Sequence, residues 1–287
     1  MTENEDAGKG LKKRRRLKGL TVAMLVPNAI TVSATCAALT GVRFALEGRW
    51  DFACGAILLA AILDTLDGRM ARLLNASSDF GAQLDSLSDF VAFGVAPGMI
   101  LYYWSLQALG GVGWAVALFA AVCCGLRLAR FNSRLDTLPP FAVNYFQGVP
   151  APAGAGLLLL PLLMSLTTDG AFYPPAEAIA FWTALSGLLM VSEIPTYSFK
   201  RIKIPRAHIL PMLAGIALAI AAMAGQPWGT LCLILIAYLI TMPFAYRSFK
   251  RKSAEAAANE PAAPDADDGE TAETATNVRK AANDGDT

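Results

Sequence analysis

Apolar stretches long enough to cross a bilayer as helix recur through most of this chain, and nothing else about it limits the fold so severely. A helix needs about 20 apolar residues to span roughly 30 Å of hydrocarbon. Such runs fall at about 20–41, 50–70, 82–103, 112–131, 148–167, 175–193, 208–225 and 228–246. Composition agrees, with 55% hydrophobic and 16% charged residues where a soluble domain carries about a quarter charged. The expected fold class is therefore all-α: a polytopic integral membrane bundle of about eight transmembrane helices, with both termini cytoplasmic.

The basic residues give an independent test of that count, because Lys and Arg collect on the cytoplasmic side of membrane proteins. Of the 24 Lys and Arg, all but Arg43 and Arg49 fall in segments that eight spans place inside. A wrong helix count would invert the later loops and mix the charges. The expected divisions are a basic cytoplasmic segment at 1–19, a transmembrane domain at 20–252 and a disordered acidic cytoplasmic tail at 253–287, which is too poor in large apolar residues to bury a core. The cluster Lys12 to Lys18 suits a topology signal and a membrane-surface contact; a nucleic-acid partner is not expected. Its basic flank resembles that of a signal peptide, but the first apolar run is too long and lacks a clear cleavage site, so it is expected to be retained. The five cysteines lie in apolar segments without metal-ligand spacing and read as small buried hydrophobes. Trp50, Trp104, Trp114 and Trp228 read as interfacial anchors.

Against this background, four aspartates in one short stretch stand out. A charge at the centre of a spanning helix costs about 2.5 to 3.5 kcal/mol on insertion scales, so four of one sign need cations or water. Asp64 and Asp67 are spaced i,i+3, and Asp85 and Asp89 i,i+4, so each pair projects from one helix face. The segment Leu73 to Phe80 reads as a short cytoplasmic turn, which makes the two helices antiparallel neighbours and gathers the carboxylates at the cytoplasmic boundary. An all-oxygen donor set suits Mg²⁺, Mn²⁺ or Ca²⁺ rather than zinc or copper. Gly68 and Gly81 leave room for a ligand to approach the backbone. Arg72 offers a planar guanidinium to a phosphate. Metal-assisted transfer at phosphorus is the chemistry this group suggests.

The pattern D-x-x-D-G-x-x-A-R-x8-G-x3-D-x3-D, met here at every fixed position from Asp64 to Asp89, resembles the signature of the CDP-alcohol phosphatidyltransferase family. The resemblance implies that Asp64, Asp67, Asp85 and Asp89 hold two divalent ions, Mg²⁺ or Mn²⁺ with Ca²⁺ as a further option, on the diphosphate of a CDP-linked lipid. It also implies that Asp89 is the base that activates the incoming alcohol. Pro27 to Thr31 is similar to the family's P-N-x-x-T segment, which adds Asn28 and Thr31 to Gly68, Arg72, Ser78 and Gly81 as contacts to the CDP-lipid. Asn28 and Thr31 could equally serve as hydrogen-bonding groups between helices.

The acceptor must be read elsewhere. Gly125 to Asn132, Phe146 to Pro152 and Tyr197 to Lys200 resemble blocks of the family's bacterial serine-accepting branch, although Ile194 to Thr196 departs from the commoner form with a basic residue. This implies transfer of a phosphatidyl group from CDP-diacylglycerol to L-serine, giving phosphatidylserine and CMP at the cytoplasmic face of a bacterial inner membrane, by a homodimer. Arg127, Arg130 and Asn132 are candidates for the amino-acid acceptor, with simple topological anchoring as the competing explanation for the arginines. Glycerol 3-phosphate, inositol phosphate and choline remain alternative acceptors. His208, the one histidine, has no acidic partner in sequence and is a poor base. An Asp-rich prenyltransferase would carry its carboxylates in two separated blocks. A divalent-cation transporter would spread them over several helices, whereas here they are confined to the second and third.

Overall fold

The computed structural model describes residues 22–76, 78–134, 145–192, 195–197 and 209–258. The helices are α1 (Val22–Leu46), α2 (Trp50–Leu73), α3 (Asp79–Asp89), α4 (Ala96–Trp104), α5 (Gly111–Arg134), α6 (Ala151–Thr167), α7 (Ala176–Val191), α8 (Ile209–Gly225) and α9 (Pro227–Ala258). A π-helical segment, Phe90–Val95, joins α3 to α4 in one continuous rod. Among the described residues this makes eight rods, close to the apolar runs read from sequence. The only strands there are β1 (Tyr145–Gln147) and β2 (Pro195–Tyr197), an antiparallel pair with Phe146 opposite Thr196.

Among the described residues, three helices are long and apolar enough to cross a membrane by length and composition alone: Leu25–Leu46, Asp79–Trp104 and Gly111–Ser133. The apolar stretches of α6 to α9 are shorter. Helix α2 has the length, but Asp51, Asp64, Asp67, Arg69 and Arg72 interrupt its hydropathy. The bundle is a membrane helical protein whose outer faces expose large apolar side chains such as Leu39, Leu59, Phe181 and Leu218. Its core is centred on α6, where Leu157, Leu158 and Leu162 are buried.

Local chemistry explains the helix boundaries that matter here. Helix α2 ends in a Schellman motif: Ala76 N–H donates to Ala71 O at 2.9 Å and Asn75 N–H to Arg72 O at 3.3 Å. Asn75 takes the left-handed φ of 49° that this motif requires. Ser78 then caps α3, its hydroxyl accepting from Gly81 N–H at 3.0 Å. Two capping devices, at Asn75 and Ser78, thus stand three residues apart at the turn. Further along the rod, Pro97 has no N–H to offer Phe93, and the helix widens to π just before it.

Helix α5 lies tightly against this widened segment. A Cβ on Gly94 would stand 2.9 Å from Cys124 Cβ, closer than side chains pack, and one on Gly125 would stand a tight 3.1 Å from the Phe90 ring, so glycine allows the close approach at both. This close approach brings the C-terminal end of α5 toward the aspartates.

In α6, Pro161 leaves the Leu157 carbonyl without its intrahelical donor, and the Trp182 indole N–H of α7 donates to it at 2.7 Å. Trp182→Phe is expected to destabilise the fold by about 1 to 3 kcal/mol, the cost of an unsatisfied buried acceptor. A thermal melt in detergent with no change in midpoint would contradict this.

Two expectations need correction. Trp104 is 8% exposed, its ring set edge-on to Tyr173 at 5.2 Å, so it packs inward and is not an interfacial anchor. Cys36 is exposed on α1, unlike the other four cysteines. Helix α9 runs to Ala258, its Ala and Glu residues favouring helix without needing a core. The chain divides into two units at Tyr246 and Arg247. The basic cluster at Lys12 to Lys18, His208, Lys200 and the tail beyond 258 lie outside the described residues.

Candidate metal and phosphate site

The turn between α2 and α3 fixes which side chains meet. Asp64, Asp67 and Asp85 each present a carboxylate oxygen within 4.8 Å of the other two. Two oxygens on opposite sides of one ion stand about 4.2 Å apart for Mg²⁺ and about 4.8 Å for Ca²⁺ at their usual bond lengths. Three hard oxygen donors at this spacing fit a single divalent ion as the side chains stand.

Asp67 is buried, at 4% exposure, and its Oδ2 accepts a 2.5 Å hydrogen bond from Thr31, itself buried. The Thr31 hydroxyl also lies 3.0 Å from the Pro27 carbonyl, so α1 holds this carboxylate in place. Asp89, one turn further along α3 than Asp85, is not one of the three whose oxygens converge. Its carboxyl group is in hydrogen-bond contact with that of Asp64 and close enough to Arg127 for a charge interaction. Asp85 thus completes the trio with the two α2 carboxylates, and Asp89 lies between Asp64 of α2 and Arg127 of α5.

Beside the trio lies a cavity of about 220 Å³. Asn28, Thr31, Gly68, Arg72, Ser78 and Gly81, all six candidates for the donor site, line it together with Asp67 and Asp85. Gly68 faces open space, where a Cβ would meet nothing within 4 Å. Gly81 is tighter, since a Cβ there would come within 3.1 Å of both Asn28 Oδ1 and Ser78 Oγ. Small residues thus keep the floor low, while Arg72 supplies a cation to a cavity otherwise walled by carboxylates and by neutral polar and small apolar residues.

The three acceptor candidates have different surroundings. Arg127 is half-buried, and its Nε is a buried donor with no hydrogen-bond partner. Arg130 donates to the Ser192 carbonyl at 3.0 Å. Asn132 donates to Ser86 Oγ at 3.0 Å, tying α5 to α3. The two sequence blocks at Phe146 to Pro152 and near Tyr197 are brought together by the β1–β2 pairing, a juxtaposition the sequence did not announce. Ser88 and Thr35, which carry a hydrogen-bonded link between α3 and α1, also escaped sequence reasoning because neither stands at a charged or fixed motif position.

A carboxylate trio able to hold a divalent ion, beside a cavity with an arginine at its wall and small residues on its floor, defines a membrane protein equipped to bind a phosphate-bearing ligand through metal. A family model for CDP-alcohol phosphatidyltransferase matches residues 24–197, a span that contains every residue of the site. The chain belongs to the CDP-alcohol phosphatidyltransferase family. It is 40% identical over 238 residues to the CDP-diacylglycerol--serine O-phosphatidyltransferase of Mycobacterium bovis, covering 82% of each chain. Similarity to the protein of that name from Helicobacter pylori is 36% over 179 residues, 62% of this chain and 74% of the relative. For the one from Bacillus subtilis it is 36% over 162 residues, 54% and 89% respectively.

Proposed function

We propose that this chain transfers the phosphatidyl group of CDP-diacylglycerol to the hydroxyl of L-serine, giving phosphatidylserine and CMP. The observation that carries the reading is the coincidence of the carboxylate trio with a cavity lined by all six donor-site candidates, in a chain whose relatives are serine O-phosphatidyltransferases. Incubation with CDP-diacylglycerol and isotopically labelled serine is expected to move label into chloroform-soluble lipid. Label that stays in the aqueous phase would count against the proposal.

In the reaction a bond forms between the serine hydroxyl oxygen and the lipid-side phosphorus, the bond from that phosphorus to CMP breaks, and the hydroxyl proton passes to Asp89. Asp64, Asp67 and Asp85 would hold the divalent metal, Mg²⁺ or Mn²⁺, which when bound would supply charge neutralisation to the diphosphate and the leaving oxygen. A second ion, and Ca²⁺ as the species, belong to the same proposal. Asp89 stands beside the trio, so its role is that of base more than of ligand. Thr31 fixes Asp67, Arg72 meets phosphate oxygens, and Asn28, Gly68, Ser78 and Gly81 shape the donor cavity.

Arg127 is assigned to the serine carboxylate, because a buried guanidinium nitrogen without a partner stands beside the base. Arg130 and Asn132, already hydrogen-bonded, are assigned to the frame around it. Arg127→Met is expected to raise the KM for serine about 10- to 100-fold, as the loss of a charged hydrogen bond of about 1.5 to 3 kcal/mol implies, with the KM for CDP-diacylglycerol unchanged. Equal rises in both constants would refute the assignment.

The eight rods are assigned as membrane spans, with both ends and the active site on the cytoplasmic side of a bacterial inner membrane, and the chain as a homodimer. The division into a basic segment at 1–19, a catalytic domain at 20–252 and an acidic tail at 253–287 belongs to the same proposal. The distribution of basic residues supports this orientation. A reporter enzyme active only outside the cytoplasm is expected to work when fused after Arg49 and to fail when fused after Lys252. The opposite pattern would invert the topology.

A further inference from the structure

Between Asp85 and Asp89, α3 carries Ser88, which is 6% exposed. Its hydroxyl donates to the Thr31 backbone carbonyl at 3.1 Å and accepts from Thr35 Oγ1 at 2.8 Å. The Thr31 hydroxyl, on the same turn of α1, donates to Asp67 of α2. One turn of α1 is therefore hydrogen-bonded to both helices that bear the carboxylates. At 100° per residue, Ser88 lies about 60° around α3 from Asp85 and about 100° from Asp89.

We propose that Ser88 and Thr35 are positioning residues that set the rotation and height of Asp85 and Asp89 against Asp67, so that hydroxyls touching neither metal nor substrate tune the affinity of the metal centre. The proposal rests on the metal-dependent transferase reading above. Between helices in lipid there is no hydrophobic force to choose one rotation over another, and packing against small residues tolerates several. Here the seam of α1 includes Ala34 and Ala38, whose smooth surfaces specify little. Directional hydrogen bonds from a buried hydroxyl do specify a rotation. The tolerance is narrow: a carboxylate about 5 Å from a helix axis moves about 0.9 Å for a 10° turn, whereas metal–ligand distances are held to about 0.2 Å.

A purely structural link would lower stability and leave metal binding alone. The test is therefore Mn²⁺ binding to the chelator-stripped, full-length protein, followed by electron paramagnetic resonance well below each variant's melting point, with the melting point recorded separately. Ser88→Ala is expected to weaken Mn²⁺ binding about 10-fold, the lower end of the range for groups that orient ligands. Thr35→Val is expected to weaken it roughly threefold, the factor matching an average hydrogen bond between membrane helices. Thr35→Ser should restore wild-type binding. Adding Thr35→Val to Ser88→Ala should change nothing further in metal binding, since the Thr35 hydroxyl has already lost its acceptor on α3 and its other contact, 3.4 Å to the Thr31 carbonyl, lies within α1. Wild-type Mn²⁺ affinity in Ser88→Ala and Thr35→Val, with only the melting point lowered, overturns the positioning role alone. Absence of Mn²⁺ binding by the wild-type chain removes the metal reading and the positioning role with it.

Discussion

Asp89→Asn is expected to lower kcat by about 10²- to 10⁴-fold, the usual contribution of a positioned general base, while CDP-diacylglycerol and metal still bind. Asparagine keeps the size of the side chain and can still hydrogen-bond to Asp64, but it cannot take the serine proton. The contrast with the metal trio gives this variant its diagnostic value, because Asp89 stands outside the group whose oxygens lie within 4.8 Å of one another. Rapid kinetics with labelled donor should show a bound, unreacted complex. Full turnover in Asp89→Asn would exclude the residue as base, and loss of Mn²⁺ binding would make it a ligand instead.

Asp67→Asn is expected to have the complementary phenotype. Asp67 is the most buried of the trio and receives the Thr31 hydroxyl. The asparagine carbonyl can still accept that hydrogen bond, so the fold should persist with little change in melting temperature. What is lost is the charge, in a site built from carboxylates around a divalent ion. Replacing even a group that only orients a ligand costs about 10- to 100-fold in metal affinity or activity, so Mn²⁺ binding should weaken by at least about 100-fold and turnover should fall with it. Near-normal Mn²⁺ affinity in Asp67→Asn would mean that the trio is an internal polar cluster and that the metal sits elsewhere.

The aspartates were legible in sequence because their geometry is local. Spacings of three and four residues put each pair on one face, and a turn with Asn75 and Ser78 at its two caps leaves the flanking helices little choice but to lie side by side. That Asn28, Thr31, Gly68, Arg72, Ser78 and Gly81 share one cavity was legible for a different reason: the motif resemblance names residues on α1, α2 and α3, and these helices are adjacent through short connections. The surroundings of Arg127, Arg130 and Asn132 could not be read. Their partners Asp89, Ser192 and Ser86 lie far away in sequence, and spacing alone cannot tell a guanidinium facing the site from one bonded to a carbonyl. The π segment after Asp89 and the pairing of β1 with β2 were hidden for the same reason. Trp104 misled because aromatic residues at span ends serve both as interfacial anchors and as packing groups, and only its contact with Tyr173 decides between them.

The most direct test of the central claim is CMP release by the purified, full-length protein supplied with CDP-diacylglycerol, Mg²⁺ or Mn²⁺, and in turn L-serine, glycerol 3-phosphate, inositol phosphate and choline. The expected result is release that depends on both serine and the metal and stops when a chelator is added. Release with glycerol 3-phosphate but not with serine would contradict the acceptor, and metal uptake into proteoliposomes without any CMP release would contradict the chemistry itself.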